Sequence, residues 1–379
     1  MHLLPPVRRH ALARFTFACV LSAILGALCS RPGSAEPLRI GVVAPLSGDA
    51  SFWGTNGQAG ATLAAEDAEK RFGLPVKVRF EDERCDPKAA VAAFQHLTEI
   101  EQVRYIVGAT CSSSTAAIAP LAERKRVLLI TPGSEADSIS RMGDFVFRLW
   151  TPAGVQATLM ARYAYQELGL RRIAVLGLQN DFSAAIMPRF KESFERLGGA
   201  IVLEDEYAAG ALDFRSALAK ARSKHADGVY GITYMTDGVA LLKQFKEQKL
   251  SMLFLGTSAL NSQDFFAAVG ALADGIVFAD LPESTEEQYK QRFEERFKRA
   301  WPGITSTAST SYDAVSLIAE AVSKVGDDTG RVKEFLYGLR DHPGASGSIT
   351  FDRNGDLQRS HVVYRRASGQ NVVVYPAVQ

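Results

Sequence analysis

The sequence predicts an α/β protein made of two doubly wound parallel-sheet lobes. The chain has 379 residues, which is more than one ordinary core holds. Short β-rich runs alternate with helical patterns in two blocks, one before and one after about residue 150. Strands that alternate with helices of this length indicate parallel sheets covered on both faces, so two blocks predict two such domains.

The first 35 residues have the order of a secretory signal peptide. A basic region at 8–14 precedes an uncharged apolar run at Phe15–Leu28, and small residues end at Ala35. We therefore expect cleavage after Ala35 and a periplasmic location. A membrane anchor fits less well, because a bilayer span needs about 20 apolar residues. A lipoprotein with Cys29 as the lipidated residue is a more distant alternative, and the paired arginines leave twin-arginine export open.

The first block begins with a buried-strand pattern at Leu38–Ala44, and a glycine-containing loop leads from it into a helix over Asn56–Phe72. Asp86 and Pro87 have the residue types that favour a helix N-cap and the first helical position. The other elements expected in this block are strands at 76–82, 104–107 and 127–130 and a helix at 113–124.

The second block and the tail have different patterns. Strands are expected at 172–176, 200–203, 228–232 and 252–255, with helices between them. The tail predicts helices at 286–299, 310–325 and 330–340, and then two strand-like runs, Ser348–Phe351 and His361–Tyr364, joined around Asn354-Gly355. Because the tail helices have no strands between them, they favour completion of the first lobe.

Composition and missing motifs argue against several function classes. A formal net charge of +1 without a basic cluster gives no reason to expect a nucleic-acid partner. The chain has no dinucleotide-binding glycine motif, no Walker A motif and no Gly-x-Ser-x-Gly elbow. The histidines after residue 35 are not spaced as metal ligands. We therefore expect no cofactor, no metal and no catalytic residue. A hydrolase, the enzyme alternative, would need a base beside Ser112 or Ser258, and no histidine is near either in sequence.

Only two cysteines, Cys85 and Cys111, remain after residue 35. A single pair in an oxidising compartment predicts a disulfide. The loop it closes has 27 residues, for which chain entropy gives a stabilisation of about 3.5 kcal/mol.

Two hydroxyl-rich segments follow neighbouring strands. Cys111-Ser112-Ser113-Ser114-Thr115 leaves one strand and opens a helix, and 131–135 follows the next strand. Helix capping explains such serines in many proteins. However, ligands bind beyond the carboxyl ends of parallel strands, and a helix start with free amides and hydroxyls receives anions. These segments therefore predict a site for an anionic group.

The same segments resemble the leucine/isoleucine/valine-binding proteins of branched-chain amino-acid ABC transporters, which are type I periplasmic binding proteins. The matching pieces are Leu46-Ser47-Gly48, Cys-Asp-Pro at 85–87, Cys-Ser-Ser-Ser-Thr at 111–115, Ile130-Thr131-Pro132 and the turn at 352–356. The resemblance implies three hinge crossings. It places lobe 1 at 36–152 plus 283–362 and lobe 2 at 153–282 plus 363–379.

The resemblance also implies a function and a binding site. The function is that of a solute-binding protein that delivers a small-molecule ligand to the membrane permease of an ABC transporter, and not that of an enzyme. The ligand's carboxylate is expected at Ser112 and at the backbone of the loop Gly133-Ser134-Glu135. Cys85 and Cys111 correspond to the family's disulfide. The residues expected to line the cleft with aromatic rings are Trp53, Phe182 and Tyr234, each of which has a core position as its alternative.

Two departures from the family pattern concern the ligand's amine. Glu135 stands where the family has threonine, and Ser258 aligns with the acid that receives the ligand's ammonium. Either Glu135 or Asp237 replaces that acid, or the ligand has no ammonium. A branched-chain or other hydrophobic amino acid is the first expectation, and an aromatic or other non-amino carboxylate is the alternative. A ligand-sensing subunit of a membrane receptor would use the same cleft.

Overall fold

Two sheets and the helices that cover them form the body of the molecule. The computed structural model describes residues 36–282, 287–300 and 307–376, together with the first two residues. The expected signal peptide lies outside the described residues. Among the helices that are described, none has the length and apolar character needed to cross a membrane.

The first sheet has five parallel strands, with the order β2-β1-β3-β4-β5. Strands β3 and β4 are buried along their whole length, as a parallel sheet covered on both faces requires. The strands are β1 Leu38–Ala44, β2 Val76–Asp82, β3 Tyr105–Val107, β4 Leu128–Thr131 and β5 Val146–Arg148, and the helices of this block are α1 Ser51–Phe72, α2 Pro87–Gln95 and α3 Ser112–Lys125.

The expected start of α2 is confirmed. The Asp86 carboxylate accepts a hydrogen bond from the Ala89 amide at 2.7 Å, and Pro87 occupies the first helical position. Helix α1, in contrast, begins five residues before the expected Asn56. Gly54 lies inside this first turn, where the helix backbone closely approaches the loop after β1, since a Cβ on Gly54 would lie 1.9 Å from the Pro45 carbonyl oxygen. This glycine therefore serves helix packing, although its sequence context suggested a loop.

The second sheet repeats the strand order of the first. Strands β7-β6-β8-β9-β10 are parallel neighbours and correspond in order to β2-β1-β3-β4-β5. The strands are β6 Arg172–Leu178, β7 Ala200–Tyr207, β8 Gly228–Ile232, β9 Leu253–Gly256 and β10 Val277–Asp280, and the helices are α4 Ala153–Arg162, α5 Asp181–Arg196, α6 Arg215–Ser223, α7 Met235–Glu247 and α8 Gln263–Val269.

The tail contributes to both lobes. Helix α10 packs along α1, and a Cβ on Gly60 of α1 would lie 1.9 Å from the Ala308 carbonyl oxygen. The tail elements are α9 Glu287–Phe297, α10 Ala308–Val325, α11 Thr329–Tyr337, β11 His342–Gly344, β12 Gly347–Ile349, β13 Val362–Ala367 and β14 Gln370–Tyr375. Strand β13 pairs antiparallel with β10, and β14 continues the same sheet. The chain thus passes between the sheets three times, after β5, after β10 and before β13.

The expected pairing of the two late strand-like runs is wrong. Strand β12 pairs with β11, and β13 joins the second sheet. A turn does form around Asn354-Gly355, and the Asp352 carboxylate accepts the amides of Asn354 and Asp356. This turn docks on β5, where the Arg148 amide donates to the Gly355 carbonyl at 2.9 Å. An antiparallel bridge between Phe351 and Leu357 flanks the turn, so a short hairpin forms there, but its second arm is at Leu357 and not at His361–Tyr364.

Candidate functional site

A cavity lies where the carboxyl ends of strands from both sheets meet. Its empty space, which includes space open to solvent, is about 470 Å³. Six of the residues expected at the site reach this cavity. The lining consists of Trp53, Thr110, Cys111, Ser112, Gly133, Trp150, Phe182, Tyr234, Ser258, Ala259 and Thr307.

Aromatic rings from both lobes form one wall of the cavity. Trp53 is at the start of α1, and Tyr234 precedes α7. Their ring centroids are 5.1 Å apart in an edge-to-face arrangement, and Phe182 lies 5.7 Å from Tyr234. Trp150, which follows β5, is a further lining residue. Such a wall favours an apolar or flat ligand body.

Ser112 connects the two hydroxyl-rich segments. Its hydroxyl oxygen accepts hydrogen bonds from the amides of Glu135 and Ala136, at 3.0 and 3.1 Å. The amide of Glu135 is therefore already bonded and does not point at a ligand. With both lone pairs engaged, Ser112 keeps its O–H as a donor, and it begins a helix whose first amides have no partner within the helix. The arrangement presents several donors to an anionic group.

Ser134 has a supporting position. It is fully buried, its hydroxyl lies 2.7 Å from that of Thr115, and it also donates to the Thr110 carbonyl. These bonds hold the loop after β4 against the start of α3. Ser134 is not among the residues that line the cavity.

The expected disulfide joins Cys85 to Cys111. Beside it, the buried Glu83 carboxylate accepts the amides of Thr110 and Cys111, at 2.7 and 3.3 Å. Burial raises the pKa of Glu83 to about 7, although its hydrogen bonds lower it in part. Covalent and polar contacts thus fix the segment that carries Ser112.

Glu135 makes a buried contact between the lobes. One carboxylate oxygen accepts the Ser258 hydroxyl at 2.9 Å, and the other accepts the Gln156 side-chain amide. Glu135 follows β4 of the first sheet, whereas Gln156 lies on α4 and Ser258 follows β9 of the second lobe. Burial raises the pKa of Glu135 to about 7, against the lowering effect of these donors and of Arg148. Glu135 therefore does not turn to solvent.

Arg148 anchors the backbone behind this loop. Its side chain is fully buried, and its Nε donates to the Asp356 carboxylate at 2.5 Å. It also donates to the Ala136 carbonyl at 3.0 Å and to the Ser140 hydroxyl. The guanidinium thus joins the end of β5, the late turn and the segment that follows Glu135.

Asp237, the other acid considered for the ligand's amine, has a different position. It accepts the Tyr207 hydroxyl and, at 3.3 Å, the Tyr234 amide, so it caps the start of α7. Asp237 lines an outer cavity at the mouth of the cleft and not the inner one. Glu135 does not line the inner cavity either, but it accepts a hydrogen bond from the hydroxyl of Ser258, which does.

The sequence analysis missed two residues of this site. Trp150 follows β5, a strand that was not expected, so its place at a strand end was not visible. Gln156 lies on α4 and is fully buried. A polar residue between Ala153, Ala157 and Met160 on an apolar helix face was the signal that could have identified it. Within the described part of the chain, no cluster of acidic, histidine and cysteine side chains is arranged to hold a metal.

Comparison with known proteins identifies the family. A sequence profile described as "periplasmic binding protein" matches residues 37–368. The chain belongs to this family. As a periplasmic binding protein, it shares the two-lobed α/β fold and the three crossings that its sequence predicted, and it resembles the branched-chain amino-acid binding proteins.

The relatives of this periplasmic binding protein are themselves binding proteins. The leucine-, isoleucine-, valine-, threonine- and alanine-binding protein of Pseudomonas aeruginosa is 27% identical over 332 residues, which cover 86% of this chain and 88% of that protein. A leucine-binding protein from Thermotoga maritima is 25% identical with a TM-score of 0.82, over 89% of this chain and 97% of that one. A solute-binding protein of an ABC transporter from R. palustris was solved with benzoate. Its TM-score is 0.82 at 21% identity, and the match covers 90% of this chain and 98% of that one.

Proposed function

We propose that the protein is the periplasmic solute-binding component of an ABC importer, and that it binds a small hydrophobic amino acid between its lobes. A membrane permease is its protein partner. The observation that carries the ligand assignment is Glu135, a buried carboxylate beside an aromatic cavity. A ligand ammonium supplies the cation that this carboxylate lacks.

The proposed pose has three contacts. The ligand's carboxylate accepts from the Ser112 hydroxyl and from the first amides of α3. Its ammonium approaches Glu135 next to Ser258, and its apolar body lies against Trp53 and Phe182. The outer cavity is lined by three acids and one basic residue, namely Asp49, Asp181, Asp237 and Arg84. This excess of negative charge supports a ligand that carries a positive group.

A specific observation favours a second candidate, an aromatic carboxylate without an amine. Ser258 and Gln156 already donate to both Glu135 oxygens, so Glu135 has partners without a ligand. Four aromatic residues line the cavity, and the structural relative from R. palustris was solved with benzoate.

Titration calorimetry distinguishes the two candidates. We expect leucine or phenylalanine to bind at least about tenfold more tightly than isocaproate or hydrocinnamate, their analogues without the amine, because a buried charge-assisted hydrogen bond is worth about 1.5–3 kcal/mol. Isoamylamine, which lacks the carboxylate, is the matched control and should bind weakly. In Glu135→Gln the preference for the amine should disappear. Tighter binding of the analogues without an amine would overturn the amino-acid assignment and leave the carboxylate site.

We also propose the lobe boundaries given above, with crossings near 152, 282 and 362. The contact between Thr151 and His361, 3.3 Å from hydroxyl to ring nitrogen, supports two crossings that run side by side. Because the ligand contacts both lobes, binding should close the hinge. Small-angle scattering should therefore give a smaller radius of gyration at saturating ligand. An unchanged radius would contradict hinge closure.

A further inference from the structure

The Glu135 carboxyl receives hydrogen bonds from neutral groups only. Its partners are the Ser258 hydroxyl and the Gln156 amide, and it is 6% exposed. In the part of the chain that the structure describes, no lysine, arginine or histidine forms an ion pair with it. A buried carboxylate without a cationic partner is unfavourable, and such a group tends to take up a proton.

The charged and titratable groups around Glu135 do not supply that cation. Arg148 of β5 is the nearby positive group, and its guanidinium is bonded to Asp356, Ala136 and Ser140. From the second lobe, Tyr230 of β8 and Tyr234 before α7 are close. Burial, together with the charge of Glu135, raises the pKa of both phenols, so they stay neutral at physiological pH.

Glu83 is the other buried acid near the cavity, on the first lobe. Both it and Glu135 affect Tyr234 electrostatically. Neither acid is among the residues that line the cavity: Glu83 accepts two backbone amides, whereas Glu135 accepts the side-chain hydroxyl of Ser258, which lines the cavity. A ligand ammonium next to Ser258 therefore meets Glu135 first.

We infer that an amino acid entering the cavity displaces a proton from Glu135 to the solvent, so that this side chain selects ligands by charge and makes their affinity depend on pH. The inference rests on the proposed function, since it needs a ligand that carries an ammonium. No bond other than the carboxyl O–H breaks, and the ammonium takes the place of the proton as the carboxylate's partner.

The direction of the proton exchange depends on how the pKa of Glu135 differs between the empty and the ligand-bound protein. In the empty protein, burial raises the pKa of Glu135 to about 7, so about half of the molecules carry the proton at pH 7. An adjacent ammonium lowers this pKa, and binding then releases a proton. A carboxylate ligand without an amine does the reverse, because a second negative charge raises the pKa of Glu135 and binding takes up a proton.

Calorimetry of the full chain with leucine in phosphate and in Tris buffer measures this exchange, because the two buffers differ in ionisation enthalpy. At pH 7 we expect release of about half a proton per leucine, and an affinity about tenfold lower at pH 6 than at pH 8. Isocaproate should show proton uptake and the opposite dependence on pH. Glu135→Gln should abolish both exchanges, and Glu83→Gln is the matched variant that should retain them.

The possible results separate the two proposals. Leucine binding with no proton exchange and a flat pH profile would overturn this inference and leave the proposed function. If the proton exchange is lost in Glu83→Gln and kept in Glu135→Gln, the proton belongs to Glu83, and this inference is also overturned. Absence of binding by both ligand series would overturn the proposed function together with the inference.

Discussion

Replacement of Arg148 by methionine should lower the free energy of unfolding by about 3–5 kcal/mol. The guanidinium is fully buried, and its partner Asp356 is 8% exposed. Removal of one member leaves a buried carboxylate without its cation, and the Ala136 carbonyl also loses its donor. Urea denaturation of the ligand-free protein measures the difference.

An exposed ion pair provides the matched control. Arg196 and Glu192 lie 2.7 Å apart with side chains 67% and 56% exposed. Arg196→Met should change the free energy of unfolding by less than about 1 kcal/mol, because solvent screens the pair. A second substitution, Asp356→Asn, should recover part of the loss in Arg148→Met, because it removes the unpaired charge. Equal effects of Arg148→Met and Arg196→Met would contradict the anchoring role of Arg148.

Ser112→Ala should weaken binding of the amino-acid ligand by roughly tenfold to a hundredfold, since a hydrogen bond to a charged group is worth about 1.5–3 kcal/mol. The substitution removes the hydroxyl of a residue that lines the cavity. It also leaves the buried amides of Glu135 and Ala136 without their acceptor, so the loop after β4 loses its link to α3.

The neighbouring Ser113 is the control for Ser112. It is half-buried and lines the outer cavity at the mouth of the cleft, not the inner one. Ser113→Ala should change the dissociation constant by less than about twofold. Thermal melting of both variants checks that the folded state persists. Similar affinities for Ser112→Ala and the unmodified protein would remove Ser112 from the carboxylate site.

The sequence predicted the fold well where local patterns are strong. Buried runs such as Gly228–Ile232 have the bounds expected of them, because a strand covered on both faces is continuously apolar. Residues at the carboxyl ends of strands converge on one cavity for the same topological reason. Ser112 could be found in this way, whereas Phe182 and Ser258 were named from the resemblance to the family.

Long-range contacts were beyond prediction from local patterns. Strand β5 has only three residues, too short for a clear pattern, so Trp150 and Arg148 were missed. The bonds from Gln156 and Ser258 to Glu135 span 21 and 123 positions of the chain. Local propensity contains no information about such pairs. The late turn likewise depends on its contact with β5, which only the folded chain shows.

The three passages between the sheets have a consequence for folding during synthesis. Strands β1 to β5 are made by residue 148, yet the helix that packs along α1 is Ala308–Val325. The second sheet acquires β13 and β14 only at residues 362–375. Neither hydrophobic core can therefore close on a ribosome-bound chain until the late segments have emerged. In a chain of this topology, both cores therefore gain their last elements only near the end of translation.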